Sequence, residues 1–310
     1  EGSRLWGWIA ALAVTAVAAV LRLVALDRPA RLVFDETYYV KQAYSLLTLG
    51  YEGDWAEEQD EAFAQGDYSG LSSDPDYVVH PPLGKWLIAI GMRLLGTDSM
   101  VGWRLSGALA GIIGVLLVAR IGRRLTGSTL LGATAGLLLA VDGMHLVMSR
   151  TAILDIFVST FVIAAFATLL LDREASRRRL AQRVAAELGE HERLRDPWGP
   201  RLGVRWWLVA TGVLLGLACS VKWSGIYAVA AFGLAAVAWS VFARRTAGVR
   251  LWVGAGLVRD GISSFLALVP VAALTYLAGW ASWFAGTGAY HRHWAENVNA
   301  VAAVPERTWM

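Results

Sequence analysis

Two adjacent carboxylates, Asp35 and Glu36, stand in the run FDETYYVKQA at 34–43, shortly after an apolar stretch that ends near Arg22. Neighbouring side chains diverge in direction, so the two acids cannot easily share one proton. One can face a substrate while the other pairs with a base such as Arg22 or Arg104. A carboxylate near several cations stays ionised at neutral pH. It can then take a proton from an attacking hydroxyl. The cations are Arg22, His80, Lys85, Arg104, Arg150 and Lys222, each at or near the end of an apolar block. Such an excess of bases suits a phosphate, which arginine holds in bidentate fashion. The chemistry implied is transfer of a group from a phosphate to a hydroxyl.

Each residue also has a plainer use. Arg22, Lys85 and Lys222 suit snorkelling anchors at helix ends, and Trp86, Trp103 and Trp223 suit an interfacial belt. His80, ahead of Pro81 and Pro82, suits a turn. Asp155 is expected inside a helix, where a lone carboxylate costs roughly 2.5–3.5 kcal/mol on insertion scales. It is therefore expected to pair with a base, as a structural ion pair or as part of a site.

These residues need elements to hold them. The 310-residue chain is 56% hydrophobic and only 17% charged, a balance foreign to soluble domains. Its mean hydropathy is positive. The apolar residues come in blocks of roughly bilayer length, so the fold expected is an all-α polytopic membrane protein. Candidate spans are about 5–26, 101–120, 128–147, 152–171, 206–221, 224–243 and 262–281, with 83–96 as a juxtamembrane or partly inserted helix. Block 5–26 is too long for a signal-peptide core and reads as a retained first helix. Small residues in GALAGIIG (107–114) and GATAGLLLA (132–140) suit close helix packing. A single domain over 1–310 is expected.

Arginines after 120, 172 and 244 fall on one side if seven helices alternate. The positive-inside rule makes that side cytoplasmic. Loop 27–82 then lies outside; it is strongly acidic, and its 56–76 portion reads as solvated chain. A calcium site there is a weaker reading, because EF-hand spacing is missing. Loop 172–205 is basic and cytoplasmic, and 173–197 could form an amphipathic surface helix. The arginines lie between apolar blocks, which argues against a nucleic-acid partner. With Cys219 as the lone cysteine, an intrachain disulfide is excluded and a thiolate metal cluster is not expected.

Five blocks in order, FDETYYVKQA, HPPLGKWLIAIG, WRLSGALAG, MSRTAILDIFVSTFVI and CSVKWSGIYAV, resemble the actinobacterial protein O-mannosyltransferase family over residues 20–240. That family belongs to the GT-C membrane glycosyltransferases. The resemblance implies a GT-C helix bundle with an extracytoplasmic catalytic loop. It implies transfer of mannose from polyprenyl-phosphate-mannose to Ser/Thr hydroxyls of exported polypeptides, with the secretion translocon as a further candidate partner.

It also implies that Asp35 is the base and that Arg22, Glu36 and Arg104 lie at matching functional positions. Arg104, Lys222, Arg22 and Arg150 are expected to hold the donor phosphate. His80, Lys85 and Asp155 are expected to serve substrate or structure. An inverting single displacement needs one carboxylate base and no carboxylate nucleophile, unlike a retaining glycosidase. No cofactor is expected, since the lipid-linked sugar is a substrate; a divalent metal is left open. Family members have about eleven helices, so this chain is expected to lack the C-terminal portion. Two other readings stay open: a GT-C enzyme acting on a glycolipid, such as an arabinosyl- or aminoarabinose transferase, and a transporter. A transporter would place its polar residues near the bilayer midplane and show related halves.

Overall fold

A backbone in lipid has no water to satisfy its polar groups, so each apolar block must close its hydrogen bonds within itself. The computed structural model describes residues 2–191 and 194–296. There the apolar blocks become helices. In chain order these residues form α1 (Gly2–Leu23), α2 (Glu36–Leu49), β1 (Gly53–Trp55), α3 (Asp60–Ala64), β2 (Leu71–Pro75), α4 (Leu83–Leu95) and α5 (Met100–Thr126). They continue with α6 (Thr129–Val141), α7 (Gly143–Met148), α8 (Asp155–His191), α9 (Trp206–Val221), α10 (Gly225–Thr246), α11 (Trp252–Gly254), a π-helical turn Ala255–Asp260, α12 (Gly261–Gly279) and α13 (Ala281–Ala285).

Among the described residues, five segments are long and apolar enough to cross a membrane: Arg4–Leu23, Met100–Thr126, Asp155–Gly189, Gly225–Thr246 and Trp252–Gly279. The apolar α6 and α9 are shorter. Together they are the expected all-α polytopic bundle. End contacts give the helix directions: α1 and α5 run antiparallel, α5 and α8 run in the same direction, and α9 returns antiparallel to α8. Arg120 near the C-terminus of α5 donates to the Gly7 carbonyl near the start of α1 (3.3 Å), and Arg124 pairs with Glu174 of α8 (2.6 Å). At the other end, Lys222 after α9 meets Asp155 at the start of α8 (3.0 Å). One end is thus arginine-rich, and the other carries the sequence-marked acids. Glycines permit the closest approaches: at Gly91 a Cβ would collide with the Gly102 carbonyl, so α4 and α5 meet backbone to backbone.

Three expectations about elements need correction. The 152–171 span and the 173–191 part of the expected 173–197 surface helix are one continuous helix, α8, because no Gly or Pro interrupts 155–188; residues 192–193 lie outside the described residues, and 194–197 are not helical. The 128–147 span is two helices: α6 stops at Asp142, whose carboxylate accepts from the His145 amide (2.8 Å) and caps α7 instead.

The acidic 27–82 segment, including its 56–76 portion, is folded rather than solvated chain. It contains α2, α3 and the antiparallel β1–β2 ribbon. Its aromatics explain this. Phe63 is fully buried and packs edge-on against Tyr44, Trp55 and Tyr68, while its ring lies 5.6 Å from that of Trp103. Burying such rings contributes roughly 1.5–3 kcal/mol each, while the acids remain at the surface. Trp103 is therefore core, with its indole N–H on the Thr97 carbonyl (2.7 Å), and not a belt residue.

The folded cap is fastened to the bundle by the fully buried Arg104–Glu36 ion pair, with the buried Lys85–Glu52 pair as a second tie. Arg104, on the first turns of α5, donates through Nε to Glu36 Oε1 (2.8 Å) and through Nη2 to Oε2 (2.8 Å). Its remaining N–H groups meet the carbonyls of Leu26 (3.2 Å), Pro29 (3.0 Å) and Arg31 (2.9 Å). Glu36 also accepts from the amides of Val33 (3.0 Å) and Ala152 (2.8 Å). Side chains from α2 and α5 thus fix the α1–α2 connector and the approach to α8. Removing one partner of a buried pair leaves an uncompensated charge, which costs about 3–5 kcal/mol. Arg104→Ala should lower unfolding stability by that amount in detergent. The apolar pair Arg104→Met with Glu36→Leu should recover most of it. Wild-type stability in Arg104→Ala alone would contradict the assignment.

Candidate active site at the Asp35 cavity

Asp35 directly precedes α2 at its N-cap position, yet its side chain makes no capping hydrogen bond. Aspartate there ordinarily caps. Phe34, with φ of 52°, turns through the left-handed region just before it and points its ring into the open. A phenylalanine in that conformation costs roughly 1–2 kcal/mol. The turn separates the neighbouring acids: Glu36 goes into the buried pair, and Asp35 goes to a cavity.

That cavity measures about 420 Å³ and is lined by Asp35, Tyr38, Tyr39, Gln42, Asp76, Tyr77 and Val79. Asp35, Tyr39 and Gln42 share one face of α2 through helical spacing. Gln42 is buried and donates to Asp76 Oδ2 (2.7 Å), which holds the second carboxylate in the wall. The Tyr39 hydroxyl is pushed up to about 12 by burial, by the charges of Asp35 and Asp155, and by a hydrogen bond with Asp35. Tyr39 therefore stays a phenol at neutral pH and can donate to the Asp35 carboxylate.

His80 lies behind Tyr39, with ring centroids 6.1 Å apart. Burial holds its imidazole below the ordinary histidine range. Lys222 and Lys85 add to that effect, and Asp155 and Asp35 partly oppose it. His80 is accordingly neutral at pH 7. Lys222 and Asp155 form a salt bridge, with Nζ 3.0 Å from Oδ1 and 3.1 Å from Oδ2. Both ends keep solvent contact, 27% for Lys222 and 42% for Asp155. Asp155 begins α8 and does not sit inside a helix as expected; its charge finds the expected base.

The other cations are already engaged by protein acceptors. Every N–H donor direction of Arg104 is met by Glu36 or a connector carbonyl. Arg22 is fully buried, reaching the Ala140 carbonyl (3.1 Å), the Ala18 carbonyl (3.3 Å) and His145 Nδ1 (2.9 Å). Arg150 caps the end of α1, with Nη1 on the carbonyls of Leu21 (2.7 Å), Arg22 (3.1 Å) and Val24 (2.9 Å), and Nη2 on Ala25 (2.9 Å). The contacts of these three arginines in this structure are with backbone, His145 and Glu36, and Arg22 Nε is buried without a partner. Lys85 is buried against Glu52 (2.9 Å) and ties α4 to the ribbon. Lys222, 27% exposed, keeps contact with solvent.

Sequence reasoning singled out neither Tyr39, Gln42 nor Asp76 for the site, and it missed Glu52. Stepping by helical spacing from Asp35 would have reached Tyr39 and Gln42. Asp76 and Glu52 carry no such signal, because only tertiary pairing brings them in.

Residues 79–185 match the family described as dolichyl-phosphate-mannose-protein mannosyltransferase. A polyprenol-phosphate-mannose–protein mannosyltransferase of Mycobacterium tuberculosis is 42% identical over 98% of this chain and 55% of its own length. Its Mycolicibacterium smegmatis counterpart is 43% identical over 94% of this chain and 52% of its own. The Corynebacterium glutamicum protein of that name is 38% identical over 84% of this chain and 47% of its own. Among solved structures, the Archaeoglobus fulgidus oligosaccharyltransferase tethered to an acceptor peptide aligns over 96% of this chain and 37% of that one. Its TM-score is 0.51 at 15% identity, a likeness of fold. ArnT from Cupriavidus metallidurans, bound to undecaprenyl phosphate, aligns over 93% of this chain and 44% of that one, with a TM-score of 0.48 and 23% identity. Along nearly its whole length the chain is thus similar to actinobacterial proteins named polyprenol-phosphate-mannose–protein mannosyltransferase, and it spans about half the length of the curated relatives it matches.

Proposed function

We propose that this chain forms the catalytic part of an enzyme that moves mannose from polyprenol-phosphate-mannose to Ser/Thr hydroxyls of exported proteins. The observation that carries the reading is Asp35: an N-cap carboxylate that does not cap, turned into a cavity beside a protonated Tyr39. The acceptor hydroxyl enters that cavity, and Asp35 takes its proton as the oxygen attacks the anomeric carbon. The C–O bond to the phosphate breaks as the new glycosidic bond forms, so configuration inverts. The leaving phosphate gains charge, which Lys222 stabilises electrostatically. Asp155 holds the lysine in place, and neutral His80 adds no repulsion toward Asp155's partner.

The names of the relatives supply the donor and acceptor classes. The reaction then lies on the extracytoplasmic face, since the Asp35 cavity is at the end of the bundle opposite the arginine-rich one. Secreted chains emerging from the translocon meet it there.

Base and sidedness can each be measured. In the full-length protein, Asp35→Asn should bind donor normally yet transfer mannose about 10²–10⁴ times more slowly, the usual worth of a positioned base. Radiolabelled polyprenol-phosphate-mannose and a Ser/Thr-rich peptide give the assay; wild-type turnover in folded protein would remove Asp35 from the mechanism. For sidedness, Cys219→Ala supplies the background. Ser73→Cys, on the exposed β2, should react with an impermeant maleimide in intact cells, and Arg178→Cys, exposed on α8, should react only after lysis. The reverse pattern would put the cavity in the cytoplasm.

A further inference from the structure

At the opposite end of the bundle, a cleft of about 440 Å³ opens between α1, α5 and α8. Its rim holds Arg4, Arg120, Arg123 and Arg124, and its floor is Leu117, Ile121, Ala167 and Leu171. The level is interfacial, because the apolar stretches of α5 and α8 give way to charge there. We propose that this cleft holds an anionic phospholipid of the inner leaflet, with its phosphate among the arginines and an acyl chain along the floor. The inference does not depend on the reaction proposed for Asp35.

Charge complementarity selects the occupant. Glu174 offsets Arg124, and Arg4 and Arg120 keep the rim positive. A soluble anion would satisfy the rim and leave the apolar floor wet. A neutral lipid would cover the floor and leave the guanidinium charge unmatched. An anionic phospholipid does both, as basic pockets between cytoplasmic helix ends do generally.

The arginines are also set differently from snorkelling anchors, which extend outward to water. Arg120 turns inward: its guanidinium carbon sits 3.8 Å from the Trp8 ring centroid and Nη1 reaches the Gly7 carbonyl at 3.3 Å. Arg123 donates through Nε to Thr129 Oγ1 (3.0 Å) and packs on Gly7, where a side chain would collide with it. The rim is therefore a rigid frame on helix ends, which suits a bound headgroup better than a diffuse charged surface.

The test uses full-length protein in nanodiscs of phosphatidylcholine with a minor fraction of phosphatidylglycerol, with retained lipid counted by native mass spectrometry. Wild-type protein should retain phosphatidylglycerol well above its share of the bilayer. Arg120→Gln with Arg124→Gln should lower that retention about tenfold or more, since each cation near an anionic surface contributes substantially. Arg120→Lys with Arg124→Lys should keep most of it, and Arg177→Gln with Arg178→Gln, on α8 beyond the cleft, should leave it unchanged. Ala167→Trp fills the floor without removing charge and should also expel the lipid, so the proposal stays testable if the glutamine pair fails to fold. Retention without preference for phosphatidylglycerol, or full retention in Ala167→Trp, would overturn it.

Discussion

Arg104 and Glu36 meet inside the bundle, where a charged pair loses hydration that its mutual attraction alone rarely restores. The pair persists because the remaining lone pairs and protons are also matched: three connector carbonyls meet the guanidinium, and two amides meet the carboxylate. One of those amides belongs to Ala152, so the pair joins α2, α5 and the entry to α8 at a single point. The fully bonded guanidinium acts as a template for the otherwise irregular 26–36 segment. Asp35 inherits its direction from that template, and without it the cavity would have no fixed carboxylate at that wall.

This arrangement assigns the charges of the outer end to two tasks. Arg22, Arg104, Arg150 and Lys85 neutralise backbone carbonyls and carboxylates where helices end or break. Lys222 keeps partial solvent contact beside Asp155, and on the proposed reading it meets the donor phosphate. The distinction follows from geometry: a planar guanidinium with several fixed donors bridges several carbonyls at once, whereas a lysine presents a mobile point charge. A transferring phosphate group needs charge that is held but not saturated. The Lys222–Asp155 pair, solvent-exposed in part, has that property.

The helices were legible because lipid admits few alternatives, and hydropathy located their apolar stretches. Their ends were less so. Asp142 splits one expected span by capping α7, and the charged run after Leu171 continues as helix because an arginine-rich segment without Gly or Pro keeps its helical backbone. The 27–82 segment misled for a compositional reason: its acids suggested solvated chain, while a few aromatics, Phe63 above all, built a core beneath them. At the site, the expected pairing of one acid with Arg104 is met by Glu36, while Asp35 faces the cavity. Roles were not legible, because a cation that binds phosphate and one that binds carbonyls look the same in sequence.

The proposed mechanism turns on a division of labour in which Asp35 takes the proton and Glu36, held by Arg104, only aims it. The pH dependence of kcat/KM for mannosyl transfer, measured in full-length wild type and in Glu36→Gln, separates the two. If Asp35 is the base, Glu36→Gln lowers the rate at every pH but keeps the decline on the acid side, because the titrating group is intact. If that acid-side decline disappears in Glu36→Gln, the proton goes to Glu36 and the division of labour is contradicted.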